Sequence, residues 1–343
     1  MKYFVGLDAH GNTSTFVVID KDGKEVLHRQ IKTSEPELLN FVRGLKGSKS
    51  LVFEEMYLAK WLHSLLEPEV EELMVCNPSY INRRSGPKND YLDAKHLAQS
   101  LRGGFLTKVH HENNGHSQFR SVMSGYNSLV RDIVRMKNRY KRLYGSKGIK
   151  TPGYEFNKDP KHLELLKSPN DHFVASTYFE LLNSLTEKKK EYQRFIKQNA
   201  YSNQEIMALT TIPGISFIRA NTIAATVATP HRFRSKYRFW SYCMLVSHDK
   251  NSDGRSYGKE RKHGRSELKA VFLGAAESVI IHGKDTKLHQ YYNLQVKKGL
   301  EPRTAKRALA RKIAAIALAV MRTKKPYNEW EAFKDLKLSS AEA

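Results

Sequence analysis

Asp90 and Asp93 lie in the stretch Lys88-Asn89-Asp90-Tyr91-Leu92-Asp93-Ala94, at the start of a pattern (Leu92, Ala94, Leu97, Ala98, Leu101) that predicts a helix. Positions i and i+3 of a helix share a face, so both carboxylates can point at one spot. Ser85-Gly86-Pro87 breaks regular structure just before them, which puts the pair near the helix N-terminus. A purely structural reading exists there, with Asp90 as cap and Asp93 as a partner of the helix dipole. Two further acids argue for chemistry. Asp8 and Glu54 each close an apolar run that predicts a buried strand, and such strand ends in an open α/β sheet are where active sites are usually built. Four convergent carboxylates repel one another unless a hard divalent cation neutralises them, and an all-oxygen set favours Mg²⁺ or Mn²⁺. A pair of such ions can clamp the attacking and leaving oxygens of a phosphodiester. Glu55 rivals Glu54, because adjacent strand residues face opposite sides.

The elements that must position these acids follow from alternation and turn chemistry. Tyr3, Val5 and Leu7 alternate with Phe4 and Gly6 into Asp8 as a first strand; Phe16–Ile19 predicts a second and Val26–Ile31 a third, joined by a turn at Asp20-Lys21-Asp22-Gly23. A helix is expected over Glu35–Leu45, with Ser34 as N-cap and Pro36 at its first position. Leu51–Phe53 predicts a fourth strand, Leu58–Leu66 a helix and Leu73–Cys76 a fifth strand. Hairpin-joined strands followed by alternating helix and strand imply an α/β layout with a mixed sheet.

The chain has 343 residues, 58 Lys+Arg against 35 Asp+Glu, and a formal net charge of +23. That length implies two or three domains, and that charge a polyanionic partner, of which nucleic acid is the commonest. No apolar run is long enough to span a bilayer, and the first residues lack a signal-peptide pattern. Only Cys76 and Cys243 are present, too few and too far apart for a disulfide framework or a Cys-based zinc site. The composition fits a cytoplasmic protein that handles nucleic acid.

Beyond the sheet the pattern becomes helical. Phe119, Val122, Tyr126, Leu129, Ile133, Met136, Tyr140 and Leu143 form a heptad seam on a helix from His116 to about Tyr144. Residues 145–169 read as a loop, and Phe179, Leu182, Leu185, Tyr192 and Ile196 stripe a second helix over Phe173–Asn199, so an antiparallel coiled-coil arm is expected. Leu209-Thr210-Thr211-Ile212-Pro213-Gly214-Ile215 leads into a small-residue helix, a helix-hairpin-helix-like turn that can either bind a phosphate through backbone N–H groups or simply join two packed helices. Residues 248–265 read as a basic, flexible loop carrying Ser252 and Ser256 among arginines, suited to phosphate binding; spacing alone does not make either serine a nucleophile. Leu268–His282 and Pro302–Met321 read as closing helices, with Arg303, Lys306, Arg307, Arg311 and Lys312 along one side of the second.

This order of motifs resembles the DEDD-type transposases of a class of bacterial insertion sequences, the bridge recombinases. Nearly the whole chain takes part: Gly6-Leu7-Asp8, Val52-Phe53-Glu54, the Lys88–Ala94 motif, the helical insert, Thr211-Ile212-Pro213-Gly214-Ile215 and Ser252-Asp253-Gly254. The resemblance implies a RuvC/RNase H-like N-terminal domain, and with it an α/β plus α fold: mixed sheet with helices, coiled-coil insert, mainly helical C-terminal domain. It implies boundaries at 1–112 (catalytic), 113–204 (arm), 205–335 (transposase domain with the serine loop) and 336–343 (tail). The family's four acids fall on Asp8, Glu54, Asp90 and Asp93 as ligands of Mg²⁺ or Mn²⁺, and its nucleophilic serine on Ser252. The usual Glu-Ala-Thr-Gly reads Glu54-Glu55-Met56-Tyr57 here, and the usual Ser-Gly is split by Asp253, which keeps Glu55 and Ser256 in play. By the same resemblance the enzyme is bacterial and nucleoid-associated, works as a dimer or tetramer, and is guided by a structured noncoding bridge RNA that pairs with donor and target DNA. It would cut and rejoin DNA through a phosphoserine intermediate. A Holliday-junction resolvase-like nuclease would use the same acids with water as nucleophile, and a non-catalytic binder would leave the four acids unexplained.

Overall fold

The computed structural model describes residues 1–77, 89–111, 115–151, 153, 156, 159–246, 249–252, 255–259 and 264–334, with the backbone alone at 249–252, 256, 257 and 259. The chain forms two compact units, Met1–Asn113 and Asn114–Ala343. Among the described residues no helix is long and apolar enough to cross a membrane.

The first unit is built on a five-stranded mixed sheet. Strands β1 (Lys2–Ala9), β2 (Thr13–Ile19) and β3 (Glu25–Lys32) pair antiparallel, while β4 (Ser48–Glu54) and β5 (Glu72–Cys76) add in parallel on the other side of β1, giving the order β3-β2-β1-β4-β5. The expected turn after β2 forms: the Asp20 carboxylate accepts from the N–H groups of Asp22 and Lys24, each at 2.9 Å, and Gly23 takes φ +86°. Helices α1 (Glu35–Gly44) and α2 (Ala59–Leu66) connect β3 to β4 and β4 to β5. Ser34 sits at the N-cap of α1 without a side-chain cap bond, and Pro36 is its second residue rather than its first.

Strand alternation splits the apolar residues between two faces. Val5, Leu7, Phe16, Val18, Leu51, Phe53, Leu73 and Val75 pack with Leu38 and Val42 of α1 and Leu62 and Leu66 of α2. The opposite face carries Val17 and Ile19 against Ala94 and Ala98, and Val52 and Cys76 against Leu97 and Leu101, all from helix α3 (Asp90–Arg102). Gly6 lies under that helix: a Cβ there would stand 1.9 Å from the carbonyl oxygen of Ala94. Only glycine lets strand and helix backbones approach so closely.

Among the described residues the second unit is helical apart from one hairpin. A short helix α4 (Gly115–Gln118) precedes α5 (Arg120–Gly145), which runs antiparallel to α6 (Pro169–Tyr201): Phe119 stacks on Phe195, Tyr126 meets Tyr192 and Tyr140 meets Phe179. Met123, Tyr126, Ile133, Tyr140 and Tyr144 are buried on α5, so Met123 and Tyr144 join the residues that the heptad reading picked out. The segment 145–169 is not plain loop. It contains a 3-10 turn (Pro160–Leu165) and buries Phe156 against Tyr140 and Tyr144 at that end of the helical pair.

The rest of this unit packs around α12 (Pro302–Thr323), with α7 (Gln204–Thr210), α8 (Phe217–Val227), α9 (Lys236–Tyr242), α10 (Ser266–His282), α11 (Lys287–Lys297) and α13 (Glu329–Phe333) against it or each other. Alpha-helix α11 was not anticipated from sequence. The Pro213-Gly214 turn does join two packed helices: Gly214 has φ +83°, and a Cβ on it would lie 2.4 Å from the carbonyl oxygen of Ala275 in α10. The segment read as a flexible loop contains a two-stranded antiparallel hairpin, β6 (Asp249–Ser252) with β7 (Arg255–Lys259). The basic side expected on α12 is largely spoken for. Lys306 pairs with Glu277, Lys312 donates to the carbonyl of Ala332, and Arg311 lies over Trp240, which leaves Arg303 and Arg307 exposed. The tail from residue 336 lies outside the described residues.

Candidate active site

The acids are positioned by the sheet and by the start of α3. Gly6 pairs with Val52 and Leu7 with Phe53, so Asp8 and Glu54 follow as neighbouring strand ends at the same edge. Alternation from Gly6 and Val52 directs both toward the face covered by α3. Glu54 pairs in register with Cys76, whose thiol burial pushes up to about 12, the Glu54 charge adding to the rise.

Glu55 turns to the other face. Its carboxylate meets His111 Nε2 at 2.5 Å, and the His111 ring stacks on His63 at 5.1 Å between centroids. The pleat therefore separates the two glutamates, which sequence alone left open.

At the head of α3 the cap is Asn89 rather than Asp90. The Asn89 side chain accepts from the Tyr91 N–H at 2.9 Å, which leaves both aspartates in the first turn with their carboxylates uncommitted to capping. Tyr91 and Lys95 hold that turn down: the Tyr91 hydroxyl donates to Glu25 at 2.7 Å, and Lys95 donates to both Glu25 and the Tyr91 oxygen at 2.9 Å.

Asp8 and Asp90 come together, and a residue the sequence reading passed over joins them. His10 Nε2 stands 3.3 Å from Asp8 and 3.6 Å from Asp90, and donor atoms of the three side chains all lie within 4.8 Å of one another. Asp93 is near enough for its charge to act on Asp8. The Asp8 carboxyl is raised above its ordinary value, first by burial and then by the charges of Asp90 and Asp93, with His10 opposing the rise. Glu54 shares the face and the sheet edge but is not a member of the three-residue cluster. The signal that could have found His10 is its spacing: two residues beyond Asp8, it falls on the same side of the strand direction. Three oxygen- and nitrogen-bearing side chains this close, two of them acidic, fit a divalent cation.

Ser252 belongs to the second unit. It ends β6 opposite Arg255; residues 253–254 lie outside the described residues, as do the side chains of Ser252 and Ser256. Arg265 caps the N-terminus of α10, and its contacts link that helix to α9 and, through Tyr242, to α8. The Arg265 N–H donates to the Tyr242 carbonyl at 2.8 Å, and the Tyr242 hydroxyl donates to the Thr226 carbonyl at 3.2 Å. The Arg232 guanidinium lies 4.4 Å from the centre of the Tyr242 ring.

Comparison with known proteins finds likeness over both units. A transposase family model of the DEDD type of IS110 matches residues 5–144, and the model of the IS116/IS110/IS902 transposase family matches residues 207–293. The transposase for insertion sequence element IS1111A of Coxiella burnetii (strain RSA 493 / Nine Mile phase I) is 22% identical over 342 residues, spanning 94% of this chain and 90% of that protein. The first match covers the sheet, the acids and α5, and the second covers the Pro-Gly turn and the serine hairpin. The chain thus belongs to the IS110 family of transposases, the DNA-recombining enzymes of insertion sequences.

Proposed function

We propose that this transposase cuts and rejoins DNA with Asp8, Glu54, Asp90 and Asp93 as ligands of divalent metal and Ser252 as the nucleophile. The observation that carries this reading is the meeting of Asp8 and Asp90 at the sheet edge, with Asp93 acting electrostatically on Asp8. When bound, a divalent cation supplies Lewis-acid polarisation of the phosphate and offsets charge on the entering and leaving oxygens. The four acids come from two strand ends and one helical turn, so they are set in place before substrate arrives. The Ser252 hydroxyl attacks phosphorus, the bond to one sugar oxygen breaks, and that oxygen leaves as a hydroxyl carrying away a proton. The new phosphoserine ester keeps the energy of the cut bond, so a hydroxyl of another strand can reverse the step without ATP.

A net charge of +23 supports a second polyanion besides DNA, and the family resemblance makes it a structured guide RNA that pairs with donor and target. In this reading 1–112 is the catalytic domain, 113–204 an arm that joins subunits, and 205–335 the serine domain. The deciding experiment uses DNA bearing the element's ends and looks for a denaturation-resistant protein–DNA adduct. Wild type should form it, and Ser252→Ala should bind DNA normally yet form neither adduct nor recombinant. An adduct from Ser252→Ala would move the nucleophile to Ser256. Cleavage by wild type without any adduct would make the enzyme a water-using, resolvase-like nuclease.

A further inference from the structure

His10 belongs to none of the four acidic positions, yet it stands between two of them. Its placement is not that of a loose surface side chain, although it is 55% exposed. The His10 N–H donates to the Thr13 carbonyl at 2.8 Å, and its own carbonyl accepts from the Thr33 hydroxyl at 2.7 Å. Thr33 is itself bonded to Ser14 at 2.8 Å. Both backbone groups of His10 are thus pinned at the β1–β2 turn, and Nε2 is presented to Asp8 and Asp90 at 3.3 and 3.6 Å.

We propose that His10 is a nitrogen ligand of the divalent cation held by Asp8 and Asp90, and that it biases the site toward Mn²⁺ over Mg²⁺. The proposal rests on the metal reading of the acids given above. Mg²⁺ is a hard ion that demands oxygen donors in near-ideal octahedral geometry and parts reluctantly with water, whereas first-row transition ions accept imidazole. A mixed set of two carboxylates and one imidazole therefore discriminates where four carboxylates would not. A protonated imidazole that only balanced the acids would do the opposite. It would compete with any cation, so its removal would tighten both metals alike.

The test uses the full-length protein with Mn²⁺ or Mg²⁺ alone, each with and without a short DNA duplex. Pulsed electron spin resonance of bound Mn²⁺ should show modulation from a directly coordinated ¹⁴N in wild type and none in His10→Asn or His10→Ala. Calorimetry should show Mn²⁺ binding weakened about tenfold in these variants with Mg²⁺ little changed, as expected for loss of one soft-leaning donor. Asp90→Asn should weaken both metals and keep the nitrogen signal on whatever Mn²⁺ remains. The bonds that pin His10 are backbone bonds, so the variants keep the turn, and circular dichroism checks this. Bound Mn²⁺ with no ¹⁴N signal, or tighter binding of both metals in His10→Asn, overturns the role of His10 while the acidic site stands. Wild type that binds no Mn²⁺ under any condition overturns the metal reading itself, and this proposal with it.

Discussion

The two candidate reactive elements are built by opposite means. The acids stand at the ends of β1 and β4, two inner strands of a five-stranded sheet, and in the first turn of a helix that touches β1 backbone to backbone at Gly6. Ser252 stands on a pair of strands of four and five residues with a register shift between Asp249 and Asn251. A two-stranded ribbon is marginal by itself in water. One site is thus fixed by a core, and the other stands on a short ladder of polar residues. The acids are positioned by the packing of α3 on the sheet, and Ser252 by the pairing of β6 with β7.

The largest test of that contrast is Gly6→Ala. A single methyl group must displace the Ala94 carbonyl and lift α3 from the sheet, which should cost about 3 kcal/mol or more, at the upper end for overpacking. Thermal unfolding should show the first unit's transition lowered, and Mn²⁺ binding should be lost with it. A variant with wild-type stability would mean that α3 does not lean on β1 as the geometry requires.

A matched pair of hydroxyl deletions gives a smaller and sharper comparison. Tyr91→Phe removes the bond to Glu25 that holds the first turn of α3, and Tyr242→Phe removes the bond to Thr226 that ties α9 to α8 in the second unit. Each should cost about 1 kcal/mol, the net worth of one hydrogen bond. The distribution should differ. Amide exchange should quicken at Arg265, whose N–H donates to the Tyr242 carbonyl, for Tyr242→Phe, whereas the α3 amides should stay protected in Tyr91→Phe because the apolar face still packs. Equal local loosening in both would erase the contrast.

The smallest effect is one of pH. Burial holds the His63 imidazole below its ordinary value, partly offset by Glu67, with the charge of His111 adding to the depression. The unfolded chain then binds a proton below about pH 6.5 that the folded state resists, so stability falls as pH drops through that value and is restored above it. Melting temperatures between pH 7.5 and 5.5 should decline less steeply in His63→Gln than in wild type.

Local pattern alone carried much of this protein. Short apolar runs, alternating in β1, located all five strands of the sheet, and the i, i+3 spacing put Asp90 and Asp93 on one turn, because both depend only on neighbours in the chain. The stripe on α5 and the turn at Gly214 were legible for the same reason. The hairpin was not, since strands of polar residues have no apolar face to betray a period of two. The basic row on α12 could be read but not its fate, because Lys306 and Lys312 are taken up by Glu277 and Ala332 from other helices.

What only the tertiary structure decided is which face meets which. Glu54 and Glu55 are equivalent until β4 is set beside β1 and one side of the sheet is covered by α3. Asp90 could have been a cap until Asn89 was seen to accept from Tyr91. His10 is a polar residue in a turn until α3 brings Asp90 within 3.6 Å of it. Side-chain periods are written in the chain, but the pairing of faces comes from contacts between residues some 80 positions apart, and a single sequence holds no record of those contacts.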